Sequence, residues 1–581
     1  MAGTNAELDL LLKENTDDAG KKIGQLWDHW SMKRDPKIEQ IKELRNYIFA
    51  TDTGTTSNAT LPWKNSTTLP KLCQLRDNLH ANYISSIFPN DNWIKWEGKT
   101  LQDETYAKKN AIQSYISTKA HQSNLRDIVS QLLYDYIDTG MTFGSTSYVK
   151  EETFDPETNR KVSGYTGPKA HRISFMDIVF NPVAPDFKSS PKIVRSIKTI
   201  GELTRMAKTD TIWADAIKKT KEIRRGAAAF TTQDFHKAAG YNIDGFGDMR
   251  EYYGSDYVEV LTFEGDNYNA DTEELEENIQ IIVIDKSILV TKRVIPSPLG
   301  KDRIANAGWR KRPDNLYAMG PLDNLVGMQY RIDHLENLKA DALDLMVHPP
   351  LVIEGDVDPW EWGPSAEIHI VGEGSVTELG KNFSGVAAAN NEIAILEQKM
   401  EDYAGAPKQA MGIRTPGEKT AFEVQALENA AGRIFQEKIT NFEINILEPL
   451  LNSMLADAIA SGDVAEVVRT FDEQIGVESF LNVTIEDLMA EGLVRPIGAR
   501  HFGQQAQILQ NLSQALNSPI GPKVEPHLSG KAMARLLEDS LQLQRYSLVR
   551  PNVALTEAAE TQQLGGALEE EVAVEQATPT E

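Results

Sequence analysis

The sequence predicts an α+β fold that is mainly helical, and three observations carry that prediction. Apolar residues recur at helical spacing on both sides of the chain's middle; Leu72, Leu75, Leu79 and Tyr83, for instance, share one face of "KLCQLRDNLHANYISSIFP". Between about residues 142 and 300 the texture changes to β-branched and aromatic runs between turns: "TFGSTSYVK", "KAHRISFMDIVFNPV", "DYVEVLTFEG" and "NIQIIVIDKSILVTKRVI". Finally, 581 residues with 41% hydrophobic and 25% charged content describe a folding chain of several units, not a disordered one.

Taken in order, residues 1–50 read as helix, and "TDTGTTSNATLPWKNSTTLP" as a loop of turn formers. The helix with the Leu72 face follows. "SNLRDIVSQLLYDYIDTG" is the next helix, with Gly140 as its stop. Inside the β-rich region "IGELTRMAKTDTIWADAIKKTKEIRRG" reads as helix. Then "GPLDNLVGMQYRIDHLENLKADALDLMVHPP" predicts a long helix with a narrow apolar seam of Leu325, Met328, Ile332, Leu335 and Leu338, stopped by two prolines. A short β-rich insert and a second helix, "VAAANNEIAILEQKMEDYAG", follow. From Ala421 a helix of unusual length runs into "ILEPLLNSMLADAIASG", and Pro449 predicts a kink in it. Residues 461–550 read as mostly helical, with Phe502, Ala506, Leu509, Leu512 and Leu516 on one face. The acidic last thirty residues read as a mobile tail.

The net charge of −25 argues against a sequence-independent DNA binder, which needs a basic face, but not against an acidic wall that DNA slides past. The lone Cys73 forms no disulfide within a chain and fits a reducing compartment. The acidic N-terminus is not read as a secretory signal, and no stretch is apolar enough to span a bilayer. No zinc-ligand pattern and no nucleophile elbow appear, so neither catalysis nor a cofactor is expected.

"GIRTPGEKT" comes within one residue of a phosphate-binding loop. Gly412 and Gly417 are correctly spaced and Lys419 and Thr420 follow, but Glu418 intervenes and the preceding segment is helical. The better reading is a helix start, with Thr420 and Glu423 as a capping box. Arg414 and Lys419 are then either solvent-exposed or aimed at a polar partner. Two tryptophan pairs, Trp93 with Trp96 and Trp360 with Trp362, are read as sharing a face of a strand or turn. They serve as packing or as interface anchors.

"LPWKNSTTLPKLCQLRDNLHANYISSIFPNDNWIKWEG" resembles the N-terminal region of portal, or head-to-tail connector, proteins of short-tailed double-stranded DNA phages. "YAMGPLDNLVGMQYRIDHLENLKADALDLMVHPPLVI" is similar to that family's first stem helix leading into its clip. "APKQAMGIRTPGEKTAFEVQALENAAGRIFQEKITNFEINILEPLLNSML" is similar to its tunnel loop and following helix. The likeness covers most of residues 30 to 515 and rests on element order more than on any one motif. It implies a portal fold with wing (1–319), stem (320–347 and 386–404), clip (348–385), tunnel loop (405–419), a long kinked helix (420–460), crown (461–550) and acidic tail (551–581). It implies a ring of about twelve subunits at a capsid vertex of the virion, assembled in the host cytoplasm. Expected partners are further copies of the chain, the capsid and scaffolding proteins, the terminase large subunit, tail adaptor or tube proteins, and double-stranded DNA in the channel. Lys408, Arg414 and Lys419 would then touch passing phosphates. Trp360 and Trp362 would anchor the clip. Glu354, Asp356, Asp358 and Glu361 would form an acidic docking rim, and the Leu325–Leu338 seam would pack on a neighbouring stem. The rival readings are a tail or adaptor ring, and a packaging ATPase or nuclease.

Overall fold

The computed structural model describes residues 19–49, 68–89, 93–155, 160–226, 257–269, 274–347, 351–358, 368–378, 384–404, 434–462, 464–472 and 477–497. It is α+β, and the chain divides into two units. The first comprises residues 1–84, 126–146 and 170–453; the second comprises 85–125, 147–169 and 454–581.

The first unit is organised by a five-stranded antiparallel sheet of order β4-β5-β6-β7-β8. Its strands are Ile178–Phe180, Lys192–Thr199, Tyr257–Asn269, Glu274–Ile284 and Ile288–Val294. Val283 pairs with Leu261 and Ile281 with Phe263, and all four face a long helix, α1 (Ala19–Phe49), through its Ile23, Leu26, Trp27 and Trp30. Val258, Val260, Ile282 and Ile284 project the other way, onto α5 (Ile200–Thr209) and α6 (Ile212–Gly226) through Leu203, Trp213 and Ile217. Burial of both faces explains why "IIVI", residues 281–284, is a continuous apolar run without alternation. Asp285 and Lys286, which interrupt this apolar stretch, form the β7–β8 turn, both at positive φ. Gly20 and Gly24 let α1 lie on that turn: a Cβ there would come within 2.3 Å of the Ser287 carbonyl oxygen and 2.5 Å of that of Lys286. The single helix predicted at 200–226 is two, separated at Asp210 and Thr211, and the first starts on a capping box of Thr199 and Glu202.

The Leu72, Leu75, Leu79 and Tyr83 face of α2 (Lys71–Ile87) is buried as its spacing predicts. α4 (Leu125–Asp138) ends before Gly140, which takes φ +75° against the backbone of Met319 and Gly320. Arg76 of α2 forks onto Asp138 of α4 at 2.7 and 2.9 Å, a two-bond carboxylate grip that joins the helices. Two further strands cross the boundary along the chain: β2 (Met141–Asp155) begins in the first unit and ends in the second, and β3 (Arg160–Ile173) begins in the second and ends in the first. β2 pairs with β9 (Ala305–Gly308), and a small hairpin of β10 (Arg310–Arg312) and β11 (Asn315–Met319) follows.

In the second unit β1 (Ile94–Gly98) pairs with β16 (Gly492–Pro496) beside α3 (Tyr106–Gln122). Trp93 and Trp96 are three residues apart, so they do not share a strand face as read from the sequence. Each is buried separately, Trp96 donating its indole N–H to the Asp103 carbonyl at 3.0 Å and Trp93 meeting Phe88 edge-on. The mostly helical reading of 461–550 is corrected between 465 and 496. There β14 (Ala465–Asp472) and β15 (Val477–Thr484) form a hairpin, one helical turn (Ile485–Leu488) follows, and β16 closes the stretch. "AEVVRTFD" and "VESFLNVT" alternate like half-covered strands, with Val468 and Val483 buried while Val467 and Phe480 are exposed. Phe502, Ala506, Leu509, Leu512 and Leu516 lie outside the described residues.

Candidate functional site: a helix, an uncovered hairpin and a helix

The element order expected for the middle of the chain is present: α7 (Val326–Val347), β12 (Leu351–Val357), β13 (Ile370–Glu378) and α8 (Ser384–Ala404). After it, a helix spanning 434–461 passes through Pro449 by way of a π-turn at Glu443–Leu447, in which the Glu448 N–H bonds five residues back to the Glu443 carbonyl. Widening the helix here accommodates a proline that has no N–H to donate and whose ring would crowd the fourth preceding carbonyl. The predicted interruption is thus a π-turn.

The apolar seam of α7 is largely used within the subunit. Leu325, Ile332 and Leu335 are buried in this chain, and Met328 and Leu338 are half-buried. A free stripe for a neighbouring stem is therefore not what these five residues provide. The reason is a second row that the apolar spacing hid. Gln329, Asp333 and Asn337, four residues apart, are each completely buried. Gln329 and Asp333 hold the start of α2: the Leu69 N–H donates to Asp333 Oδ1 at 2.9 Å, and the Leu72 N–H donates to Gln329 Oε1 at 3.3 Å. The Gln329 amide in turn donates to the Leu69 carbonyl and to Asp333 Oδ1. These side chains satisfy backbone groups that a helix start leaves without partners. A buried ion pair between Lys71 and Glu401, 2.8 Å long, ties the same end of α2 to α8. Desolvation raises the Asp333 carboxyl to about 6, while the Leu69 N–H and the Gln329 amide pull the other way; its Oδ2 has no hydrogen-bond partner.

α8 buries Ile393, Met400, Glu401 and Ala404. Across the two helices Arg331 pairs with Glu392 at 3.2 Å, in the open. Facing solvent are Tyr330 and Leu343 of α7 and Ile395 and Tyr403 of α8.

The hairpin is different in kind. None of the described residues of 351–358 and 368–377 is buried. Leu351 opposes Glu378 and Ile353 opposes Val376, while Val352 opposes Thr377 and Glu354 opposes Ser375 on the other face. Apolar side chains stand bare: Val352 at 41%, Ile353 at 37%, Ile370 at 37% and Val371 at 56% exposure. A bulge follows Glu354, where Gly355 takes φ +107° and a Cβ on it would come within 3.0 Å of the Glu373 carbonyl oxygen. Glu354, Asp356 and Asp358 are exposed together with Glu373, which sequence reasoning passed over. Between 351 and 378 the chain carries seven acidic residues and no lysine or arginine.

Several sites expected from the sequence lie outside the described residues: Trp360, Trp362 and Glu361 of the insert, Lys408, Arg414 and Lys419 of the loop, and the Thr420–Glu423 cap. Capping boxes do occur at Thr199 with Glu202 and at Thr484 with Asp487, where the same four-residue signal stands in "TIGE" and "TIED". Among the described residues no three His, Cys, Asp or Glu converge as a metal ion needs, and no helix is long and apolar enough to cross a membrane. No family model and no curated protein matches this chain.

Proposed function

We propose that this chain is the subunit of a portal, the ring at a capsid vertex through which duplex DNA is packaged and later ejected. The observation that carries the reading is the hairpin between α7 and α8. A two-stranded hairpin is at best marginally stable in water, and this one is bare on both faces and open at both edges. It needs cover. Head-to-tail contact between copies that closes into a ring supplies it, each hairpin lying against the next.

In that ring the stem contacts fall to Tyr330, Leu343, Ile395 and Tyr403, because the Leu325, Ile332 and Leu335 side chains are already packed inside the subunit. The acids Glu354, Asp356, Asp358 and Glu373 form a rim for basic surfaces of the terminase motor, and afterwards of the tail adaptor. A chain of net charge −25 lines the conduit with carboxylates and keeps DNA from sticking. Capsid and scaffolding proteins are the remaining partners, and Lys408, Arg414 and Lys419 remain candidate DNA contacts.

Native mass spectrometry of the purified chain tests the reading, with about twelve copies expected in a closed ring. A stable monomer at micromolar concentration would overturn it. A flanged ring in negative-stain images is the portal outcome; a plain tube or disc is the outcome for a tail or adaptor ring. ATP hydrolysis by the pure protein would favour a packaging enzyme instead.

A further inference from the structure

Acidic residues outnumber basic ones 85 to 60 in this chain. Several exposed cations find carboxylates, as Lys99 does at Glu491, Lys169 at Glu151 and Arg331 at Glu392. Three consecutive cations do not. Arg310, Lys311 and Arg312 make up strand β10, all three are exposed, and none has an ion-pair partner among the described residues. The one acid in their turn, Asp314, is also exposed and makes no ion pair with them.

The ribbon stands on a rigid base. Trp309, directly before it, is buried, donating its indole N–H to the Tyr83 hydroxyl at 3.0 Å and its backbone N–H to the Gly140 carbonyl at 2.9 Å. Tyr317 and Ala318, on the returning strand, are buried as well, and the Leu316 N–H bonds to the Pro182 carbonyl at 2.9 Å. Arg310 pairs with Met319 and Arg312 with Asn315, with a register shift between them. The Arg310 guanidinium lies 5.2 Å from the Trp309 ring centroid, and the ammonium of Lys438, itself paired with Glu437, lies 5.1 Å from it. A fourth cation thus shares the tryptophan at the root of the ribbon.

We propose that the Arg310–Arg312 ribbon is a contact site for the phosphate backbone of duplex DNA, distinct from the loop at 405–419. The choice of duplex DNA as occupant rests on the conduit reading; the presence of an unpaired basic site does not. Arginine guanidinium forks match phosphate oxygens, and contacts of this kind position a duplex without reading its sequence. Three cations on an otherwise acidic protein hold DNA weakly and in a salt-dependent way. A conduit can use such a contact to register its cargo without stalling it.

The test is fluorescence anisotropy of a short labelled duplex with the full-length protein in its assembled state, over a range of KCl concentrations. R310Q/K311Q/R312Q is expected to flatten the slope of log affinity against log salt by about 2.7, three contacts at about 0.9 each. K218Q/K219Q, which removes two charges at exposed lysines of α6, is expected to leave affinity within about twofold, since it removes no proposed phosphate contact. If the triple variant assembles poorly, R312E alone should weaken binding more than R312Q. An unchanged salt slope in the triple variant overturns the proposal, as does an equal loss from the α6 pair. Native mass spectrometry of the same samples separates the two readings. Intact rings with an unchanged slope sink the ribbon alone, whereas ribbon-dependent binding by a protein that forms no ring sinks the conduit and leaves the ribbon.

Discussion

Two small antiparallel hairpins flank one helix, and they are built in opposite ways. The β10/β11 hairpin precedes α7 and rests on buried Trp309, Tyr317 and Ala318; it displays three cations. The β12/β13 hairpin follows α7, has no buried described residue, and displays only acids among its described charged side chains. The first is finished within the chain, its support coming from a buried indole. The second has apolar residues on both faces, and none of them is buried by the described residues. The difference teaches where to look for partners: the first hairpin offers a rigid charged surface, and the second an incomplete core.

The comparison breaks most visibly at Trp309. Trp309→Ala removes the base of the first hairpin and is expected to cost about 3–5 kcal/mol, read as a lowered midpoint in urea unfolding. A loss below about 1 kcal/mol would mean that this hairpin is no better supported than the second.

Next in size is the effect of Asp333, on the helix between the two. Its folded-state carboxyl is raised from 3.8 to about 6, so the folded protein holds that proton more tightly than the unfolded chain. The resulting stabilisation is full below about pH 4 and is lost as pH rises through about 6. Compared with Asp333→Asn, the wild type is expected to lose about 2 kcal/mol between pH 4 and pH 8. Parallel stability curves for the two proteins would show that Asp333 is not desolvated as its burial indicates.

Tyr83→Phe takes away only the hydroxyl that accepts the Trp309 indole N–H. A buried donor left unsatisfied costs about 1–3 kcal/mol. Faster hydrogen exchange confined to 308–319 would place that cost in the first hairpin.

The smallest effects on stability belong to the second hairpin, and there they sharpen the contrast. Val352→Ser with Val371→Ser is expected to change the unfolding free energy of the dissociated chain by less than about 0.5 kcal/mol, because both residues are already in water. Ring assembly, followed by light scattering, is expected to weaken. Charge reversal at Asp356 and Asp358 is expected to spare the ring and impair salt-sensitive capture of a basic partner. Unimpaired capture that ignores salt would remove the acidic rim.

What the sequence determined by itself is whatever depends on local periodicity and turn chemistry. The buried face of α2, the stop at Gly140, the sheet-forming runs of 141–294 and the helix, β-rich insert and helix of 326–404 were all legible, because spacing decides which residues share a face. So was the charge contrast between "RKR" and the acidic insert, although the basic run passed unremarked. Spacing does not say what covers a face. The α7 seam read as a stripe for a neighbour, yet Leu325, Ile332 and Leu335 are enclosed by the chain's own fold. Gln329 and Asp333 lie outside that apolar seam, yet they are buried because backbone groups at the start of α2, more than 250 residues away in sequence, need their hydrogen bonds. The stretch 465–496 read as helix, but cross-strand pairing with partners as distant as Ile94–Gly98 made part of it strand. Burial and pairing are decided by residues far apart along the chain, and only the tertiary structure brings those residues together.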